Sequence, residues 1–261
     1  MTENLILCDV HDGVATVTLN NPPLNLVTLD LTRQLDATLD VLAVDRAVRV
    51  MILTGAGDRA FCAGSDLTEF PRMMGRGLVV PNKLGPENVA YSKVDDFPKP
   101  TIAAVSGLAF GGGLELAVCC DLIVVDAGTR LCLPEIKLGV FPGSGGTVRV
   151  SRRIGEGRAK EMMFFGEPID AATALSWGLV NRVAPRGESL RVAQEMAAVL
   201  ATRPSRALQL CKSAVDLAFD TTEDSAITQS LAMSDEAFST ADCKEGVRAF
   251  FAKELPRFSH G

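Results

Sequence analysis

The sequence predicts an α/β body with parallel strands, followed by a tail built of helices alone. Three observations carry that reading. Short apolar, β-branched runs alternate with helix-spaced stretches as far as about residue 190. Glycine-rich turns separate them, and past that point the strand-like runs cease. The 261 residues are 47% apolar and 22% charged, the balance of a globular chain rather than a disordered or fibrous one.

Each element has its own local reason. Leu5–Val10 and Val14–Leu19 are β-rich runs joined across His11-Asp12-Gly13, and an Asp-Gly turn between such runs marks a hairpin. Asn20-Asn21-Pro22-Pro23 breaks the pattern. Leucines at 29, 31, 35, 39 and 42 then predict a helix over Thr28–Leu42. Val48–Thr54 reads as a buried strand, Phe61 to Pro86 as irregular, and Glu87–Asp96 as helix stopped by Pro98 and Pro100. Strands follow at Thr101–Val105, Leu122–Val125 and Leu179–Val183, and helices at Gly111–Cys120, Ala159–Phe165 and Ala171–Trp177. In the tail, Pro204 suits a helical first turn, and Asp242 with Glu245 resembles a capping box opening a last helix through Lys253. No internal repeat stands out.

Composition narrows the function. The net charge of −6, from 26 basic and 32 acidic side chains, argues against a nucleic-acid binder. Only two histidines occur, His11 in a turn and His260 beside the end, so histidine triads and multi-histidine metal sites are excluded and no metal is expected. Acid–base work falls to carboxylates, lysines, cysteines or the one tyrosine, Tyr91. The seven cysteines form no C-x-x-C pair and read as small buried hydrophobes. With no secretory leader at Met1–Leu7, the expected setting is cytoplasmic. The apolar stretch Thr101–Val125 is interrupted by Glu115 and Asp121, short of the roughly 20 residues a bilayer requires, so no membrane role is expected.

Three glycine-rich loops remain. Gly55-Ala56-Gly57-Asp58-Arg59-Ala60 fits a dinucleotide fingerprint, but the expected acid about 20 residues later is missing. Gly143-Ser144-Gly145-Gly146-Thr147 lacks the lysine of a phosphate loop. Gly111-Gly112-Gly113-Leu114-Glu115 is the informative one. Glycines opening a helix leave backbone N–H groups unpaired at the positive end of its dipole, open to close approach by a developing oxyanion. Glu115 lies in that first turn among apolar neighbours. Leu133-Pro134-Glu135 places a second carboxylate 20 residues on, completing an acid–base pair.

At these residues the sequence resembles the enoyl-CoA hydratase/isomerase (crotonase) family. The matching stretches are Phe61-Cys62-Ala63-Gly64-Ser65-Asp66-Leu67 and Lys99-Pro100-Thr101-Ile102-Ala103-Ala104-Val105, then Gly111-Gly112-Gly113-Leu114-Glu115-Leu116-Ala117 with Asp121. Pro134-Glu135-Ile136-Lys137-Leu138-Gly139, Pro142–Thr147, Ala174 with Trp177-Gly178-Leu179-Val180, and Glu245-Gly246 with Ala249-Phe250 complete the set in collinear order.

The resemblance implies a spiral of ββα units over residues 1–200 and a helical trimerisation region over 201–261, assembling as a homotrimer or a dimer of trimers. It implies an acyl-CoA thioester substrate, with coenzyme A as part of that substrate and no separate cofactor. The oxyanion donors fall on the backbone N–H groups of Ser65 and Gly112, where Ser65 occupies a position often alanine in hydratases. Ala63 and Asp66 fall near the coenzyme A, as do Phe250 and Lys253, although Glu254 stands where many relatives continue with a basic residue. Acids at both 115 and 135 match hydratases, with Glu115 activating water and Glu135 supplying the α-proton. The alternatives are a double-bond isomerase or another acyl-CoA-transforming member, and, outside enzymes, an RNA-binding or scaffold relative, for which this chain lacks a basic helix. Met73, Met74, Leu78, Val79, Val80 and Leu84 read equally as acyl-pocket lining or as core packing.

Overall fold

In the computed structural model, which describes residues 4–260, the chain steps repeatedly between two sheets. The first three residues of the Met1–Leu7 stretch lie outside the described residues. β1 (Ile6–His11) and β2 (Val14–Leu19) form the expected antiparallel hairpin, from Ile6 opposite Leu19 to His11 opposite Val14. Its turn holds Asp12 at φ 49° and Gly13 at φ 85°, the two positive values such a two-residue connection needs. α1 (Leu29–Val44) follows, with the Thr28 hydroxyl capping its first turn by accepting from the Leu31 N–H.

The chain then visits both sheets three times. β3 (Val50–Gly55) leads to β4 (Ala60–Cys62) and α2 (Gly85–Asp95). β5 (Thr101–Val105) leads to β6 (Leu108–Phe110) and α3 (Gly112–Ala117). β7 (Leu122–Asp126) leads to β8 (Arg130–Cys132) and α4 (Gly146–Phe165). β3, β5 and β7 add in parallel to β2, while β4, β6 and β8 form the second sheet, with β9 (Ile169–Asp170) antiparallel at its edge. After α5 (Ala171–Trp177), β10 (Arg182–Ala184) closes the first sheet beside β7. The ββα repeat is therefore real, and its second strands are too short to register as a sequence repeat.

Alternation along the parallel strands builds two cores. Met51, Leu53, Ala103, Val105, Ile123 and Val125 face one way and meet Leu31, Leu35, Leu39 and Leu42 of α1. Val50, Ile52, Ile102, Ala104 and Val124 face the other way and meet Ala193, Ala197 and Ala201 of α6 (Ser189–Ala201). Strands covered on both faces must be apolar throughout, which is why they read as unbroken runs. Each leucine buried in this way contributes roughly 1.5–3 kcal/mol. α7 (Ser205–Asp220), α8 (Glu223–Ser239) and α9 (Ala241–Ala252) pack in succession beyond α6.

Four local expectations need correction. α4 starts at Gly146 rather than Ala159, because Gly155 at φ 79° and ψ 163° breaks an otherwise continuous helix. The strand expected over Leu179–Val183 is shifted to Arg182–Ala184, since Leu179 and Val180 stay in the turn that buries them. The last helix is capped by Thr240, not Asp242. Buried Asp242 instead accepts from Ser259 N, Ser259 Oγ and His260 N at 2.6, 2.8 and 3.0 Å, pinning the chain's last residues. Cys62, Cys119, Cys120 and Cys132 are buried, with burial pushing the Cys62 and Cys120 thiols up to about 12, but Cys8 and Cys211 are exposed.

Candidate active site

The site sits where β4 and β6 end. Gly111, after β6, takes φ 52° and ψ −128°, a conformation L side chains rarely adopt, and turns the chain sharply into α3. Gly113 lies so close to the Cys62 carbonyl that any Cβ there would overlap it. This contact fixes the start of α3 against the end of β4. The Ser65 N–H is left facing outwards, because Gly64 and Asp66 pair with Val27 on either side of it. The Gly112 N–H opens α3 and has no acceptor within the helix. Among the described residues neither amide finds an acceptor, and a Cβ built on Gly112 would lie 3.8 Å from Ser65 N. Two unpaired donors thus converge from two elements.

Two carboxylates flank them. Glu115 is buried in the first turn of α3, and its Oε1 accepts from Ser144 N and Gly146 N, each at 2.8 Å. The loop Gly143–Gly146 is therefore a cradle for this carboxylate rather than for a phosphate. Burial pushes the Glu115 carboxyl up to about 7; the two amides oppose that rise, while the neighbouring charges of Glu135 and Glu87 add to it. Glu135 opens the short turn Glu135–Leu138 after β8. Its Oε1 lies 3.1 Å from where a Cβ on Gly111 would stand, and its Oε2 is buried without a hydrogen-bond partner. Desolvation raises its carboxyl too.

The other expected site residues divide. Ala63 ends the segment entering the site, donating to the Leu24 carbonyl at 2.9 Å. Asp66 is half-buried, accepts from Thr68 N at 2.9 Å, and is held below the usual carboxylate range by its bonds to Thr68. Phe250 is exposed on α9 and packs edge-on against Phe251. Lys253 caps α9 in the left-handed conformation at φ 57°. Among the described residues no hydrogen bond or ion pair links Phe250 or Lys253 to the glutamate cluster. Met74, Leu78 and Val80 are exposed, so they are not core packing.

Four residues escaped the sequence reading. Lys83 and Glu87 are both fully buried and lie 3.2 Å apart, and Lys83 Nζ also meets Glu69 Oε2 at 2.6 Å and the Val27 carbonyl at 2.8 Å. Ser144 Oγ donates to Glu87 at 2.6 Å, and the buried Tyr91 hydroxyl donates to the Gly112 carbonyl at 3.0 Å. Their signal in the sequence was the i, i+4 spacing of Lys83, Glu87 and Tyr91, which puts all three on one helical face.

Comparisons with known proteins identify the family. The sequence profile of the enoyl-CoA hydratase/isomerase family matches residues 9–261. The chain belongs to the enoyl-CoA hydratase/isomerase family. It is 35% identical to a short-chain-enoyl-CoA hydratase of Clostridium acetobutylicum, over 97% of each chain. A crotonyl-CoA hydratase of Syntrophomonas wolfei is 32% identical over 98% of each. The crystal structure of an enoyl-CoA hydratase from Bacillus anthracis superposes with a TM-score of 0.94 at 33% identity, covering 99% of this chain and all of that one. Pseudomonas aeruginosa DspI superposes equally well, at 31% identity over 98% of this chain. The glutamate pair and the two free amides lie just beyond the ends of β4, β6 and β8, neighbouring strands of the second sheet.

Proposed function

We propose that this chain is an enoyl-CoA hydratase that adds water across the 2,3 double bond of an enoyl-CoA thioester, with Glu115 and Glu135 as its acid–base pair. The observation that carries the reading is the convergence of the Ser65 and Gly112 amides between two carboxylates in unlike environments, Glu115 buried and Glu135 half-buried. The thioester oxygen accepts from both amides, which stabilise the negative charge that develops there. Comparable oxyanion donors are each worth roughly 3–4 kcal/mol.

The environments assign the roles. Two N–H donors favour the ionised form of Glu115, whereas Glu135 Oε2 is buried and unpartnered, where a proton costs least. Burial raises both carboxyls, Glu115 to about 7, so the pair can hold one proton near neutral pH; we assign it to Glu135 in the reacting complex, leaving Glu115 ionised against its two N–H donors. Ionised Glu115 takes a proton from water as the water oxygen bonds to the β-carbon. The double-bond electrons move to the α-carbon and onto the thioester oxygen as an enolate. The enolate collapses by taking the Glu135 proton at the α-carbon, giving a 3-hydroxyacyl-CoA. Glu115 then gives its proton to solvent and Glu135 takes one up, which restores the starting state.

We assign the coenzyme A portion to the Ala63 and Asp66 segment and to Phe250 and Lys253 on the tail, of the same or a neighbouring subunit. The tail supports assembly as a trimer or pair of trimers, since Phe238, Phe250, Phe251 and Leu255 all stand exposed on or just beyond α8 and α9. No helix of the described residues is long and apolar enough to cross a membrane. The reading is tested by the loss of enoyl absorbance on crotonyl-CoA with Glu115→Gln and Glu135→Gln measured separately. Each should lose activity by orders of magnitude while still binding acyl-CoA. Proton exchange at the α-carbon without water addition would replace the hydratase reading with an isomerase.

A further inference from the structure

Helix α2 carries a row of side chains that reach both oxyanion-donor segments and the loop that cradles Glu115. Glu87 Oε1 accepts from Ser65 Oγ at 3.3 Å, and Glu87 Oε2 accepts from Ser144 Oγ at 2.6 Å. The next residue, Asn88, donates to the Gly143 carbonyl at 2.9 Å. One turn on, Tyr91 holds the Gly112 carbonyl. Ser65 and Ser144 are the same residues whose backbone amides face the thioester oxygen and Glu115. Each is thus gripped by its hydroxyl while its N–H does the work of the site.

We infer that Glu87 is a positioning residue for hydration, a third buried carboxylate that ties the Ser65 oxyanion donor and the Ser144 cradle of Glu115 to one rigid helix. It touches neither substrate nor reacting atoms. A carboxylate suits the task because it offers two acceptor oxygens on one carbon, each free to accept from a different loop. Lys83 supplies the compensating charge, and its further bonds to Glu69 and the Val27 carbonyl leave none of its three N–H donors idle. Because Val27 also pairs with the residues on both sides of Ser65, the lysine fixes the far side of the same segment. Loss of the tie lets two loops move independently, and misplacement of reacting groups by about 1 Å can cost on the order of 100-fold in rate.

The inference rests on the hydratase reading above, and kinetics on crotonyl-CoA test it. Glu87→Ala should lower kcat at least tenfold while KM stays within twofold, since binding surfaces are untouched and only alignment is lost. Glu87→Gln, whose amide can accept from Ser144 and donate to Ser65 Oγ, should restore kcat to within threefold of wild type. A purely structural role would lower the folded fraction without altering kcat per folded site, so activity is normalised to folded protein by circular dichroism. Glu87→Ala with kcat within twofold of wild type overturns the inference, and so does an equal loss in Glu87→Gln. If Glu87→Ala does not fold, the neutral pair Ser65→Ala with Ser144→Ala decides: a fall in kcat of fivefold or more supports the tie, and an unchanged kcat refutes it. Wild type is assayed alongside; its failure to hydrate counts against the hydratase reading, whereas active wild type with an equally active variant counts against Glu87 alone.

Discussion

Glu115→Gln should raise the stability of the protein at the same time as it abolishes hydration, and the gain should depend on pH in a direction fixed by the site. In the folded chain the carboxyl lies at about 7 against 4.5 for the free side chain, chiefly because it is buried. A carboxyl whose pKa is raised by folding binds its proton more tightly in the folded than in the unfolded state. Stability is therefore lost as pH rises from 4.5 towards 7, and the full penalty applies above that window. At about 1.4 kcal/mol per unit, the penalty at high pH is on the order of 3 kcal/mol. Glutamine escapes it: its Oε1 can still accept from Ser144 and Gly146, and it carries no charge to desolvate. Between about pH 5, where most of the penalty is absent, and about pH 8.5, the advantage of the variant should grow by roughly 2–3 kcal/mol. For a chain of this length that is about 5 °C in Tm. The assay is thermal unfolding of both proteins at equal concentration at the two pH values, since assembly makes Tm depend on concentration. A gap that stays flat between them would show that burial does not raise the Glu115 carboxyl, and the reading of Glu115 as a base tuned towards neutral pH would lose its physical basis.

The remaining predictions address single contacts. Gly146→Ala should cut kcat by at least tenfold with little change in folding, because its Cβ would come within 2.8 Å of Glu115 Cγ and push the base aside; steady-state kinetics checks this, and unchanged kcat would refute it. Asp242→Ala should cost about 1.5–3 kcal/mol and expose residues 254–260 to protease, since it removes a charged acceptor of three hydrogen bonds. Mass spectrometry of the digest reads the loss, and a tail as resistant as wild type would count against the clip. Lys253→Ala should raise KM for crotonyl-CoA but not for a truncated thioester lacking the nucleotide, and equal effects on both would remove Lys253 from coenzyme A binding.

What the sequence revealed, and what it concealed, follows from how each residue meets solvent. Val50–Gly55 and Thr101–Val105 were legible because a strand covered on both faces must be apolar throughout, and such a run is conspicuous. Ala60–Cys62 and Leu108–Phe110 were not, since three residues between glycine-rich turns carry no period. The first half of α4 was hidden by Gly155, whose positive φ makes two helical pieces look unrelated. Asp242 suggested a cap because its spacing to Glu245 fits one, but the structure places Thr240 at the cap and turns Asp242 inwards to the tail.

The active site divides along the same line. Glu115 and Glu135 stood out because glycine-rich turns and an acid in an apolar surround are rare together, whereas Ser65 and Gly112 were singled out as donors by the family resemblance. Lys83 and Glu87 were missed because charge ordinarily marks a solvated face, and nothing in a lysine's neighbours along the chain tells that Val27 and Glu69 will close over it. Their burial is dictated by contacts 14 to 57 residues away. The clue that was present is the substitution pattern of the loops themselves. Ser65 and Ser144 each place a hydroxyl in a motif whose work is done by backbone N–H groups, so neither hydroxyl is needed for oxyanion binding or for cradling Glu115. Two hydroxyls without a task, one in each half of the site, can share one acceptor, and a buried carboxylate with two oxygens serves both. Glu87 is that acceptor, and a buried Glu87 in turn requires a buried cation, which makes Lys83 a consequence of the two serines rather than an independent feature.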